Sequence, residues 1–164
     1  MKIILFLLFS LALSISLLGQ SKEAQKKFDT ELVSYFRSAE VKMQEVTNSE
    51  TNDKIFRLTR DNSFTGYAIL ASAKGRMESF DFMVIYNTHS EVEFIKVLIY
   101  RSSHGQEITN KNWLKQFYSK TGLFTYGKDI QAISGATLSA KSITEKINKL
   151  TILITEQTKN QNPD

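Results

Sequence analysis

The spacing of apolar positions changes repeatedly along this chain, and each change predicts an element. After Met1-Lys2, the run Ile3 to Leu18 is apolar and interrupted only by serines. From Lys22 to about Val46, Ala24, Phe28, Leu32, Tyr35, Phe36 and Ala39 form one stripe among charged residues, which predicts an amphipathic helix. Thr47 to Asp53 is polar and reads as a loop. The period then shortens. Ile55–Thr59, Phe64–Ala71, Phe80–Tyr86 and Val92–Tyr100 read as strands, separated by Asp61-Asn62, Gly75 and Thr88-His89-Ser90. Connections this short favour antiparallel neighbours. Asn110 to Tyr118 returns to helical spacing through Trp113, Leu114 and Phe117, and Gly122 to Lys128 is a turn-rich connection. Ile143, Ile147, Leu150 and Ile154 predict a last helix, followed by a polar, fraying tail from Thr155 to Asp164. The expected fold is α+β, an antiparallel β-meander of about four to five strands packed with an N-terminal and a C-terminal helix.

Composition narrows the class. The 164 residues fit one domain with appendages, and 41% hydrophobic residues with 11 phenylalanines can supply a core. Residues 1–20 have the charged start, apolar middle and small-residue end of a secretory signal, cleaved near Gly19 or Gln20. A spanning helix needs about 20 apolar residues, so this run is marginal as a permanent anchor. The expected organisation is a signal over 1–20, helix and loop over 21–53, the principal domain over 54–156 and a tail over 157–164. Cysteine is absent, which excludes disulfides, thiolate-bound zinc, iron–sulfur clusters and a lipoprotein acyl anchor. His89 and His104 lack ligand spacing, so no metal site is expected. The net charge of +4 is spread without a basic block and reads as solvated surface, not as a nucleic-acid footprint.

Candidate chemistry concentrates in Gln131-Ala132-Ile133-Ser134-Gly135-Ala136-Thr137-Leu138-Ser139, immediately ahead of the last helix. Amides at a helix start lack carbonyl partners and the helix dipole adds positive potential there, so a phosphate can be held without a side-chain cation. Gly135 permits close backbone approach, Ala136 adds no bulk, and Ser134, Thr137 and Ser139 offer hydroxyls. Plain N-capping by these hydroxyls is the competing explanation. There is no Gly-x-Gly-x-x-Gly, no P-loop pattern, and no convincing Ser-His-Asp or paired-carboxylate arrangement.

Ser134-Gly135-Ala136-Thr137-Leu138-Ser139 resembles the flavinylation motif of the FMN-binding domain family, found in covalent-flavin subunits of the sodium-pumping NADH:quinone oxidoreductase and of Rnf-type electron-transport complexes. The resemblance implies that Thr137 carries FMN through a phosphoester made by a dedicated flavin transferase. The family's motif usually has aspartate three residues before the serine, where this chain has Gln131; that departure leaves non-covalent FMN binding as an alternative. A second block, Tyr100-Arg101 through Trp113-Leu114-Lys115-Gln116-Phe117, is similar to one branch of small exported members, with Ser102 where glutamate is usual. Together the blocks span about Phe64 to Ile147.

On this resemblance the cofactor is FMN and the anchor is Ser134, Gly135, Ala136, Thr137 and Ser139. Trp113, with Phe117 and Tyr126, is a candidate wall for the flavin ring or else core. Arg101 faces the phosphate or the reduced flavin, or is merely solvated. Glu107 bonds the ribityl hydroxyls or caps the helix near Asn110. The implied protein is an exported electron carrier of the periplasm or outer envelope face, not a stand-alone enzyme. Its partners would be the flavin transferase and envelope redox proteins, with membrane association through such a partner or an uncleaved signal. A cofactor-free envelope binding protein is the remaining alternative.

Overall fold

Apolar residues on alternate positions of an extended chain face opposite sides, and here both sides are covered. In a computed structural model, residues 22–37, 40–120 and 123–161 are described, so the expected signal over 1–20 lies outside them. Helix α1 spans residues 22–36. Five strands follow, β1 (Val41–Val46), β2 (Lys54–Arg60), β3 (Ser63–Lys74), β4 (Ser79–Tyr86) and β5 (Val92–Ile99), then α2 (Lys111–Leu114) and α3 (Thr137–Gln161). The strands form one sheet in the order β1-β2-β3-β4-β5, every pair antiparallel. This is the α+β meander with flanking helices that the patterning predicts. The β2–β3 turn falls on Asp61 and Asn62, both with positive φ (50° and 61°), as a two-residue type I′ hairpin requires.

Two cores sandwich the sheet. On one face Ala24, Phe28 and Leu32 of α1 pack with Phe56, Leu58, Leu70, Met83 and Ile85. On the other, Ala140, Ile143, Ile147, Leu150 and Ile154 of α3 pack with Ile55, Tyr67, Ile69, Phe82 and Val84. Burial on both faces explains why β4 is apolar at almost every position, with no clean alternation. Polar ties fix α3 against the sheet. Lys146 pairs with Asp53 at 2.6 Å, and the Lys74 amide donates to Ser142 Oγ at 2.9 Å. The second bond sets the β3–β4 turn over the first turns of α3.

Three expectations are corrected. The helix predicted to reach Val46 ends at residue 36: Arg37 turns left-handed (φ 45°), and Val41–Val46 pairs with β2 from Val41↔Arg60 to Val46↔Ile55. Segment 21–53 therefore contributes the sheet's edge strand, besides a helix and a loop. Lys42 to Glu45 are all exposed, so the segment lacks the alternation that would have marked it as a strand. Ala39, assigned to the helical stripe, lies outside the described residues. Asn110 to Tyr118 is one α-helical turn continued by a 3₁₀ turn over Lys115–Phe117, without a longer helix. The polar tail is helical to Gln161, with Thr155 and Thr158 hydroxyls donating back to the Thr151 and Ile154 carbonyls at 2.8 Å each. There is thus no structural break at residue 156.

Candidate functional site

The segment leading into α3 is held by side chains that sequence reasoning assigned elsewhere. Trp113 Nε1 donates to the Gln131 carbonyl at 2.8 Å, the Gln131 amide donates to Gln116 Oε1 at 2.8 Å, and the Ile133 amide donates to Tyr126 Oη at 3.2 Å. Trp113 and Phe117 are buried and stack edge-to-face at 5.7 Å. The suggested ring wall of Trp113, Phe117 and Tyr126 is therefore a mount for the segment ahead of the motif, and none of the three lines the cleft described below. Gln131 is anchored through its backbone while its side chain lies on an exposed residue.

Beyond Ile133 the chain turns tightly at Gly135, whose φ of +82° is left-handed. A Cβ added there would lie 2.8 Å from a Glu107 carboxylate oxygen, which places Glu107 directly against the motif. Glu107 does not cap α2; Asn110 does, its Oδ1 accepting from the Asn112 and Trp113 amides at 2.8 and 3.3 Å. That leaves the exposed Glu107 carboxylate free to accept from a ligand hydroxyl.

The residue preceding α3 is Ala136, whose carbonyl accepts the first intrahelical bond from Ala140 at 2.8 Å. Alanine cannot cap, and in that position it costs about 1 kcal/mol relative to Ser or Asp. Among the described residues, the amides of Thr137, Leu138 and Ser139 and the hydroxyls of Ser134 and Thr137 make no hydrogen bond. Plain N-capping therefore does not account for the hydroxyls.

The three amides and the Thr137 hydroxyl belong to residues lining a cleft of about 300 Å³, formed by Gly135 to Ser139 with Arg76, His104 and Gly105; Ser134 lies just outside its lining. This is near the lower end of small-ligand sites. Arg76, from the β3–β4 turn, is its permanently charged side chain and has no ion partner among the described residues. Leu138, 57% exposed, supplies apolar surface in its lining. Ser139 is buried at 2% exposure and forms floor, not a free hydroxyl. Arg101 lies outside the lining; it forms an ion pair with Asp81 and donates to the Ser79 carbonyl at 2.8 Å, clamping β4.

Sequence reasoning missed Arg76, His104 and Tyr100. Arg76 carries no local signal, because only the folded hairpin brings it to the helix start. Tyr100 reads as an ordinary strand-end aromatic. Among the described residues no group of side chains is placed to hold a metal ion, and no helix is long and apolar enough to cross a membrane. A scan against models of known protein families and a search of curated proteins both find no match for this chain.

Proposed function

We propose that this protein is an exported FMN-binding electron carrier whose flavin is joined to Thr137 through a phosphoester. The single observation that carries the reading is the uncapped start of α3. The amides of Thr137, Leu138 and Ser139 and the Thr137 hydroxyl, all without partners, belong to residues lining a cleft at the motif that resembles a flavinylation site. An anion there receives charge-assisted bonds worth about 1.5–3 kcal/mol each, in addition to the favourable end of the helix dipole.

The residues fit the nucleotide in parts. The amides of Thr137, Leu138 and Ser139, with Arg76, suit the phosphate. Glu107, beside Gly135, suits the ribityl hydroxyls. Leu138 offers apolar surface for a flavin ring. FMN supplies reversible electron transfer when bound; the chain's part is to tether it, orient it and surround its charge. Thr137 would serve as an attachment point: a flavin transferase would bring a flavin dinucleotide as donor, the threonine Oγ–P bond forming as the donor's pyrophosphate P–O bond breaks, with a nucleoside monophosphate as leaving group and the hydroxyl proton released. The apolar leader at residues 3–18 supports export, and a covalent tether suits a carrier from which loose FMN would diffuse away.

Co-expression with a flavin transferase should give protein that stays fluorescent on a denaturing gel, and Thr137→Ala should abolish that label. A label surviving in Thr137→Ala overturns the assignment. Gln131, in place of the motif's usual aspartate, favours a second reading, a non-covalent FMN binder. Under that reading the native protein is yellow and denaturation releases all of the flavin.

A further inference from the structure

Beneath the cleft, Ser139 and Tyr100 join three segments of the chain. Tyr100 Oη donates to the His104 carbonyl at 2.7 Å and lies 2.9 Å from Ser139 Oγ. The phenol has one proton, committed to His104, so Ser139 is the donor in the second bond. The Tyr100 ring is set by Phe80, 5.4 Å between centroids. A Cβ at Gly105 would lie 2.5 Å from Tyr100 Oη and 3.4 Å from Ser139 Oγ, and one at Gly75 would lie 3.5 Å from Ser139 Oγ. The β3–β4 turn, the 102–105 loop and the first turn of α3 therefore converge on one part-buried pair of hydroxyls.

We propose that Tyr100 and Ser139 are positioning residues. Their hydrogen-bonded link holds the His104–Gly105 wall against the start of α3, so that the cleft in front of Thr137 is formed before any ligand arrives. This rests on the flavin reading above. α3 is held independently by Ile143, Ile147, Leu150 and Ile154 in the core and by the Lys146–Asp53 pair. The 102–105 wall has no comparable apolar anchorage, since His104 is exposed and Ser103 bonds only its neighbour's ring. Losing the link frees the wall before it frees the helix. The cost then falls on ordering the site, a term that pre-organisation otherwise removes.

The test uses the full-length chain as acceptor for a flavin transferase, with initial rates of covalent flavin incorporation measured against acceptor concentration. Tyr100→Phe keeps the ring and removes both bonds, whereas Ser139→Ala removes only the shared one. Each should lower kcat/KM for loading about five- to tenfold, the scale of one lost hydrogen bond. The double variant should load no more slowly than Tyr100→Phe, because both changes break the same link. Thermal melts should show every variant folded at the assay temperature. Loading at the wild-type rate by folded Tyr100→Phe or Ser139→Ala overturns the positioning role, and so does additive loss in the double variant. A wild-type protein that accepts no flavin overturns the flavin reading itself, which is a separable result. If Tyr100→Phe does not fold, Ser139→Ala alone decides between the two outcomes.

Discussion

At the scale of single residues, the candidate site divides into what local chemistry encodes and what only folding assembles. Gly135, Ala136 and Thr137 are legible from sequence because a helix start needs no distant partner to present its amides. Ser139 is legible as part of the motif but not as buried floor, because its partner Tyr100 lies on another element. Arg76 was invisible for the same reason. If it pairs with the nucleotide phosphate, Arg76→Gln should weaken FMN binding by about five- to tenfold. That is a charge-assisted bond discounted for solvent exposure. Riboflavin, which lacks the phosphate, should bind the variant and the parent equally. Titration by flavin fluorescence checks this, and equal weakening of both ligands would place Arg76 elsewhere in recognition.

Among elements, the first helix and strands β2 to β5 were legible, whereas β1 and the end of that helix were not. Strands β2 to β5 advertise themselves by apolar runs bounded by turn residues, and Asp61-Asn62 supplies the positive φ values a tight hairpin demands. β1 fails to announce itself because an edge strand with exposed Lys42, Met43, Gln44 and Glu45 buries too little to impose alternation. Its residues are acceptable in a helix, and pairing with β2 overrides that local preference. α1 itself is held by a short apolar stripe, centred on Phe28 against Phe56 at 5.3 Å. Phe28→Ala should therefore cost about 3–5 kcal/mol, readable as a lower urea midpoint with an unchanged slope. The cleft lies on the opposite face of the sheet, so flavin loading of the folded variant should be unaffected.

For the whole molecule, stability and the site respond to different conditions. Burial of the Tyr86 phenol beside Thr151 raises its pKa, burial raises that of Tyr118, and burial together with Glu93 pushes Tyr35 up to about 12. Each phenol loses its proton more readily in the unfolded chain, near the ordinary value of 10.0. Their contribution is thus fully present below that value and is lost as pH rises through the folded-state pKa values. Melting temperature should fall steadily above about pH 10, and less steeply in Tyr86→Phe. The demand of the proposed flavin site is different, namely that an anion meet the uncapped turn of α3. The most direct test is a ¹H–¹⁵N correlation spectrum of the protein with and without FMN, covalently loaded or titrated, and with riboflavin as the phosphate-free control. The amides of Thr137, Leu138 and Ser139 should shift most, and with FMN only. If those amides stay in place while FMN binds, or move equally with riboflavin, the flavin is not held by its phosphate at the start of α3.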